Sequence, residues 1–241
     1  MPRVMEIATP LGEDVLLFYR MHAHDELSRL SEYQIELLSS RGDVDLDKIL
    51  GQNVTVKLEL PDNKLRYFNG YVTRFAQIGM HGRYHLYHAT VRPWLWFLTC
   101  TANCRIFQEK TVPDIIKLVF DDHQNADVKQ ELSGTYRTWE YCVQYRETDF
   151  NFVSRLMEQE GIYYYFRHID GRHTLVLTDS ISTHTTFSGY DKITFMPQDR
   201  AQRQEYERIN EWNLVREIQP GRYVIDDFDF KKPSVELQVQ T

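Results

Sequence analysis

Tyr33-Gln34-Ile35-Glu36-Leu37 and, further on, Val54-Thr55-Val56-Lys57-Leu58-Glu59-Leu60 alternate apolar and polar side chains without a break. Successive side chains of a strand point to opposite faces, so both stretches read as strands with one wet and one buried face, the pattern of an antiparallel sheet. Between them Asp45 to Leu50 reads as one short helical turn, closed by Gly51, a residue that accepts the left-handed conformation in which helices often end. Pro61, Asp62, Asn63 and Lys64 are turn chemistry, and a further strand is expected from about Leu65 to Ile78. Asn69-Gly70 inside that strand competes as a type I′ hairpin turn. A turn there would leave only Leu65 to Phe68 as strand, so Gly70 is read as a bulge or a point of close packing.

Outward from this stretch, Tyr84 to Leu98 reads as a long strand or strand pair, apolar on both faces at Trp94, Leu95, Trp96 and Phe97. Two helices follow. The first runs from about Val112 to Asp122, with Thr111 as N-cap, Pro113 and Asp114 in its first turn and Ile115, Ile116, Val119 and Phe120 on one stripe. The second runs from Asp149 to Glu160, capped by Thr148, buried through Phe152, Val153, Leu156 and Met157, and stopped by Gly161. Strands resume at Ile162 to Phe166, turn at Asp170-Gly171 and continue over Thr174 to Thr178, and the same alternation extends from Thr186 to Thr241. The order strand, acidic entry, glycine, strand, turn, strand thus occurs in Tyr33 to Ile78 and again in Tyr141 to Thr178, with Gly51 and Gly161 110 positions apart. It suggests two similar β-rich units. Val235, Leu237 and Val239 form an alternating strand that nothing blunts before Thr241, which reads as a strand awaiting continuation.

Composition bounds the function. At 241 residues the chain suits one or two domains, and 42% apolar residues are enough for a core and too many for a disordered chain. Apolar runs such as Trp94 to Leu98 fall far short of the roughly 18 residues that cross a membrane, and charges within Met1 to Asp14 argue against a signal peptide, so a soluble chain made in the cytosol is expected. Cys100, Cys104 and Cys142 are too few and odd in number for a disulfide framework. Net charge is −7 and neither end nor middle is basic, which sets aside nucleic acid as a partner.

The candidate chemistry is sparse. His22-Ala23-His24 followed by Asp25 and Glu26 could place two imidazoles and carboxylates on one strand face for a metal, but no third ligand is spaced to follow, and a polar strand edge explains the set as well. His81, His85 and His88 would share a helix face, but their neighbours read as strand, which separates His85 from His88. Cys100 and Cys104 lack a second pair, and Cys142 stands alone. Glu147, Asp149, Glu158 and Glu160 around the second helix could supply a hydrolase carboxylate pair or a solvated helix face. Tyr163, Tyr164, Tyr165 and Phe166 could stack a ligand or serve the core. No phosphate loop, nucleophile elbow or His-Glu-x-x-His is present. No catalytic, cofactor or metal residue is assigned, and no cofactor is expected.

Arg105-Ile-Phe-Gln108, Thr111-Val-Pro-Asp-Ile-Ile116 and Glu140-Tyr-Cys-Val-Gln-Tyr145 continue as Arg146-Glu-Thr-Asp-Phe-Asn-Phe152, Arg155-Leu-Met-Glu158 and Glu160-Gly-Ile-Tyr-Tyr-Tyr-Phe166. This ordered series resembles the amino-terminal part of the VgrG spike family of type VI secretion systems, which is related to contractile-phage tail hubs. The resemblance spans essentially the whole chain and is most specific from Tyr84 to Asp179. It implies a mainly β fold with α inserts (α+β): two similar antiparallel β-barrel units of the contractile-phage tail-hub type, packed as a trimeric torus, with Gly70 inside a strand. The corresponding division is a first barrel unit over 1–104, a helical inset over 105–134, a second barrel unit over 135–200 and returning strands over 201–241, ahead of an oligosaccharide-binding-like barrel and a β-helical needle. The implied function is a non-enzymatic base for a cell-puncturing spike. Its implied partners are two further copies of itself, a hexameric secretion tube, baseplate proteins and effectors, and its implied path is assembly in the bacterial cytoplasm followed by injection. A cell-wall hydrolase using the acidic helix residues and a carbohydrate- or protein-binding module using the aromatic strands are the alternatives.

Overall fold

The computed structural model describes residues 4–60, 64–186, 190–197, 208–229 and 231–240. The expected turn at Pro61, Asp62 and Asn63 and the end at Thr241 lie outside the described residues. Contacts divide the chain into two units, 1–186 and 187–241.

The first half of unit 1 contains β1 (Met5–Ala8), β2 (Leu17–His24), β3 (Glu32–Ser39), β4 (Asn53–Glu59), β5 (Leu65–His81) and β6 (Tyr84–Arg92). They form one sheet in the order β1-β4-β5-β6-β3-β2, every pair antiparallel. The alternation in the sequence becomes burial: Tyr33, Ile35 and Leu37 are buried in β3, and Val54 and Val56 in β4. Register shifts at Val72/Arg74 and Gln77/Gly79 in β5, and at Phe18/Arg20 in β2, mark bulges that add twist. The sheet curls into a half-barrel whose outer strands β1 and β2 reach one another. Its concave side is filled by Leu16, Ile49, Val72, Phe75, Tyr87, Ala89 and Val91 with the buried residues of β3 and β4.

Asn69 and Gly70 lie within β5, paired with Thr55 and Val54. A Cβ on Gly70 would sit 2.7 Å from Val91 Cγ1 and 2.8 Å from the Arg92 carbonyl oxygen, so this is a point of close packing and not a turn. Residues 45–50 make turns, not a helix, and Gly51 leaves them with φ +72°.

The long strand expected from Tyr84 to Leu98 stops at Arg92. Pro93 has no N–H to donate to a ladder, and Trp94–Thr99 winds into a short 3-10 helix that buries Trp94, Leu95 and Leu98. Then come β7 (Ala102–Lys110), α1 (Val112–Asp121), β8 (Val128–Glu131), β9 (Trp139–Thr148), α2 (Asp149–Glu160), β10 (Tyr163–Ile169) and β11 (Arg172–Thr178). β7 and β9 form an antiparallel ribbon, while β10 and β11 form a hairpin that β8 joins in parallel. Both helices begin where their caps require: Thr111 accepts from the Asp114 N–H in a capping box, and Thr148 accepts from the Asn151 N–H. α2 ends at Gly161 with φ +71°. The helices meet the ribbon and hairpin in a second core of Trp94, Ile115, Phe120, Phe152, Leu156 and Leu175 with their neighbours.

In unit 2 the alternation does not become an extended ladder among the described residues. They show β12 (Val224–Ile225) paired with β13 (Val239–Gln240), and a bridge between Phe195 and Ile209.

Candidate functional site

Several of the residues singled out for chemistry are engaged locally. His24 Nε2 pairs with Glu26 Oε1 at 2.8 Å on an exposed edge, while His22 stays exposed beside it. His81 stacks near Tyr19, His85 meets Gln77 at 3.0 Å, and β6 separates His85 from His88 by alternation. Among the described residues no group of three metal-ligating side chains converges. Cys100 and Cys104 are exposed, while Cys142 is buried and its thiol pKa is raised by that burial.

The acidic helix residues do not form a pair across a cleft. Asp149 is buried and receives Arg105 Nη2 at 2.6 Å, Gln144 Nε2 at 2.7 Å and Thr101 Oγ1 at 3.0 Å, so it anchors the start of α2 onto β7 and β9. Glu147 is clamped by Arg155, and Glu160 accepts from Trp139 Nε1 at 3.3 Å. The aromatic strand divides its side chains, and Tyr165 and Phe166 line a pocket of about 310 Å³ with Asp25, Arg66, Phe68 and His168. Tyr164 is buried, Tyr163 bonds His184 Nε2 at 2.9 Å, and Tyr165 is covered by His184 and by Arg167, which donates to its hydroxyl at 2.7 Å.

The densest polar arrangement had no signal in the sequence beyond Asn69 itself. It lies where the β10–β11 hairpin crosses β5. The Asn69 backbone N–H donates to His168 Nδ1 at 3.1 Å, and the Trp94 N–H donates to His173 Nε2 at 2.8 Å. Each ring is therefore neutral, with its proton on the other nitrogen: His173 Nδ1–H donates to Asn69 Oδ1 at 2.6 Å, and His168 Nε2–H to the Tyr33 hydroxyl at 3.2 Å. Asn69 Nδ2 donates to the Val54 carbonyl at 3.1 Å and to Thr55 Oγ1 at 2.8 Å, and Thr55 Oγ1 also accepts from the Gly171 N–H at 3.2 Å. Burial pushes the His168 pKa down to about 4 and the His173 pKa down to about 3. An outer bond between Lys57 and Asp170 at 2.8 Å closes the same junction at the surface.

Two further surfaces are open among the described residues. A cleft of about 480 Å³ separates the outer strands of the half-barrel, lined by Ile7, Leu16, Phe18, Glu6, Glu13 and Lys57. On the outward side of the β7–β9 ribbon, Ile106, Tyr141 and Tyr145 are exposed around Val143. The described residues thus form a curled half-barrel and a second, helix-backed core with apolar strand surfaces open to solvent.

The chain belongs to the phage tail baseplate hub (GPD) family, whose model matches residues 24–241. It is 45% identical over 239 residues to the type VI secretion system spike protein VgrG1a of Pseudomonas aeruginosa, covering 99% of this chain and 37% of that protein. It is 46% identical to VgrG1c of the same organism, over 99% of this chain and 33% of that protein. This sequence therefore spans about a third of the length of these curated relatives. Among solved structures it is similar to the Escherichia coli c3393 protein, described as a type VI secretion component resembling the T4 bacteriophage tail proteins gp27 and gp5, with TM-score 0.66, 24% identity and coverage of 80% of this chain and 52% of that one. The 43 kDa tail protein of prophage MuSo2 from Shewanella oneidensis matches with TM-score 0.54 and 14% identity over 79% of this chain and 58% of that one, a likeness of fold. The homologues are spike and tail-hub proteins, structural components of their assemblies. The resemblance to the VgrG spike family and the mainly β fold with helices both stand.

Proposed function

We propose that this chain is the hub region at the base of a trimeric cell-puncturing spike, adapting a threefold spike to a sixfold secretion tube for effector delivery. The observation that carries this reading is the 45% identity to a type VI spike protein over 99% of the chain, on a curled half-barrel similar to tail-hub folds. Three copies, each contributing two similar barrel units, present six near-equivalent surfaces, so symmetry alone lets a trimer meet a hexamer. On this reading 1–104 is the first unit and 105–134 the inset, while 135–200 becomes the second barrel when further strands join the ribbon and the hairpin. The segment 201–241 returns toward the barrels. The partners are two more copies of the chain, the tube protein, baseplate proteins and effectors. The protein assembles in the cytoplasm and leaves with the spike.

The test is mass and binding of the protein carrying its natural continuation. Light scattering at micromolar concentration is expected to give a salt-resistant trimer that captures preassembled tube hexamers, while the 241-residue chain gives monomer or a concentration-dependent mixture, since obligate interfaces commonly bury more than about 2,000 Å². A long protein that stays monomeric, or a trimer that ignores the tube ring, removes the proposal.

A further inference from the structure

The two histidines of the hairpin junction share a property that neither needs for packing. Each uses one ring nitrogen as an acceptor for a backbone N–H, His168 from Asn69 and His173 from Trp94. Protonation turns that nitrogen into a donor facing a donor, so His168 must give up its bond to β5 and His173 its bond to the Trp94 N–H just past β6, or the ring must leave the junction, while the His173 Nδ1–H bond to Asn69 is one an imidazolium can keep. An N–H left facing an N–H loses its partner, a cost that is largest at the buried His173.

The surroundings offer an imidazolium weak compensation. From the segment after β2, the Asp25 carboxylate favours a charge on His168, though burial outweighs it, and the Tyr33 hydroxyl between them stands 3.4 Å from Asp25 Oδ1. From β5, Arg66 opposes a charge on His168, and Tyr71 presents its ring to His173 with centroids 5.8 Å apart. From β4 and the hairpin turn, Lys57 and Asp170 are paired with each other. Within the hairpin each histidine faces the other at a centroid distance of 5.9 Å, so the first charge opposes the second. Phe166 packs on both rings.

We infer that the His168–Asn69–His173 junction is an acid-released latch, which holds the β10–β11 hairpin on β5 at neutral pH and lets it swing free when both imidazoles take protons. The half-barrel interior and the second core are separate clusters and the hairpin keeps its pairing with β8, but opening must also break the packing of Leu30 and Tyr71 on the second core and the 2.9 Å bond from the Ser28 N–H to the Tyr164 carbonyl. An open hairpin exposes histidines with an ordinary pKa near 6.5, so acid favours the open form. For each histidine the closed form loses up to about tenfold relative to the open form per pH unit below that value.

Hydrogen exchange on the full chain tests this, comparing pH 7.5 with pH 4.5 after correction for intrinsic rates. Amides of 163–178 are expected to lose protection by about a hundredfold or more, while those of β3 and β6 lose less than about tenfold. Unchanged hairpin protection, or equal loss across the sheet, overturns the latch. Replacing both residues (His168→Gln with His173→Gln) removes the titrating groups and should shrink the acid effect at least about tenfold if the chain folds at neutral pH. If that variant does not fold, nitrogen-15 spectra of the native imidazoles decide: neutral rings at pH 5.5 with the proton on His168 Nε2 and His173 Nδ1 are required, and rings that titrate like free histidine overturn the proposal.

Discussion

Asn69 is buried with its backbone N–H and both side-chain polar atoms engaged, and its partners come from β4, from the hairpin 99 residues away through His168, and 104 residues away through His173. Substituting alanine leaves the His173 Nδ1–H without its partner, while Thr55 Oγ1 keeps the Gly171 N–H, and a buried unmet group costs about 1–3 kcal/mol. Asn69→Ala should therefore destabilise the chain by about 1–3 kcal/mol, read from the midpoint of urea denaturation. A change within about 0.5 kcal/mol, the level of an ordinary surface substitution, would show that the junction is ornamental to stability. Its neighbour Gly70 tests packing alone. Gly70→Ala brings a Cβ against Val91 and a backbone carbonyl that cannot rotate away, an overpacking of about 1–3 kcal/mol on the same assay. The Asn69-Gly70 pair was legible as exceptional in the sequence, and its strand position followed from the length of strand on either side. What made it exceptional was not legible, because the histidines that answer it carry no local signal and arrive only through the tertiary fold.

Elements whose determinants are local could be read directly. Thr111 and Thr148 cap α1 and α2, apolar residues recur on one stripe of each, and Gly161 ends α2 in the left-handed conformation, all within a few residues of one another. The elements missed depend on remote partners. β7 exists because it pairs with β9 some forty positions later, and β8 because it joins β11 in parallel, a pairing that short alternation cannot announce. The tryptophan-rich run after Pro93 looked like strand because its apolar residues have no period. It is a 3-10 helix because proline interrupts the ladder and His173 takes the next N–H. The same contrast separates two ion pairs. Lys117–Asp121 lies at i,i+4 on an exposed helix face, whereas Arg105 reaches the buried Asp149 from another element. Arg105→Met should cost about 3–5 kcal/mol because it strands a buried carboxylate, while Lys117→Met should cost no more than about 0.5 kcal/mol. Equal midpoints in urea would mean that Asp149 finds water when Arg105 is gone, and the anchoring of α2 would need another account.

At the scale of the molecule, burial is shared unequally. Unit 1 contains both cores, while none of the described residues of 187–241 is buried. Trp212, Leu214, Val215, Ile218 and Phe228 are among its exposed side chains, Ile218 to 98%. A segment with few buried contacts opens at little free-energy cost, and proteases cut where the backbone opens. Brief digestion of the 241-residue chain with chymotrypsin is therefore expected to cleave after Trp212, Leu214 or Phe228 first and to leave a resistant product ending near residue 186. Charge does not explain such a preference, because a protease selective for aromatic and leucyl bonds meets equally suitable residues in the cores of unit 1. In the protein carrying its continuation, the proposed return of 201–241 to the barrels covers the same residues, and those cuts should slow by at least about tenfold in the trimer. Cleavage first within β3 to β6 would place the weak point in the half-barrel. Equal rates in chain and trimer would leave the apolar side chains of 208–229 uncovered by assembly, and the returning-strand part of the proposal would fall while the membership in the hub family stood.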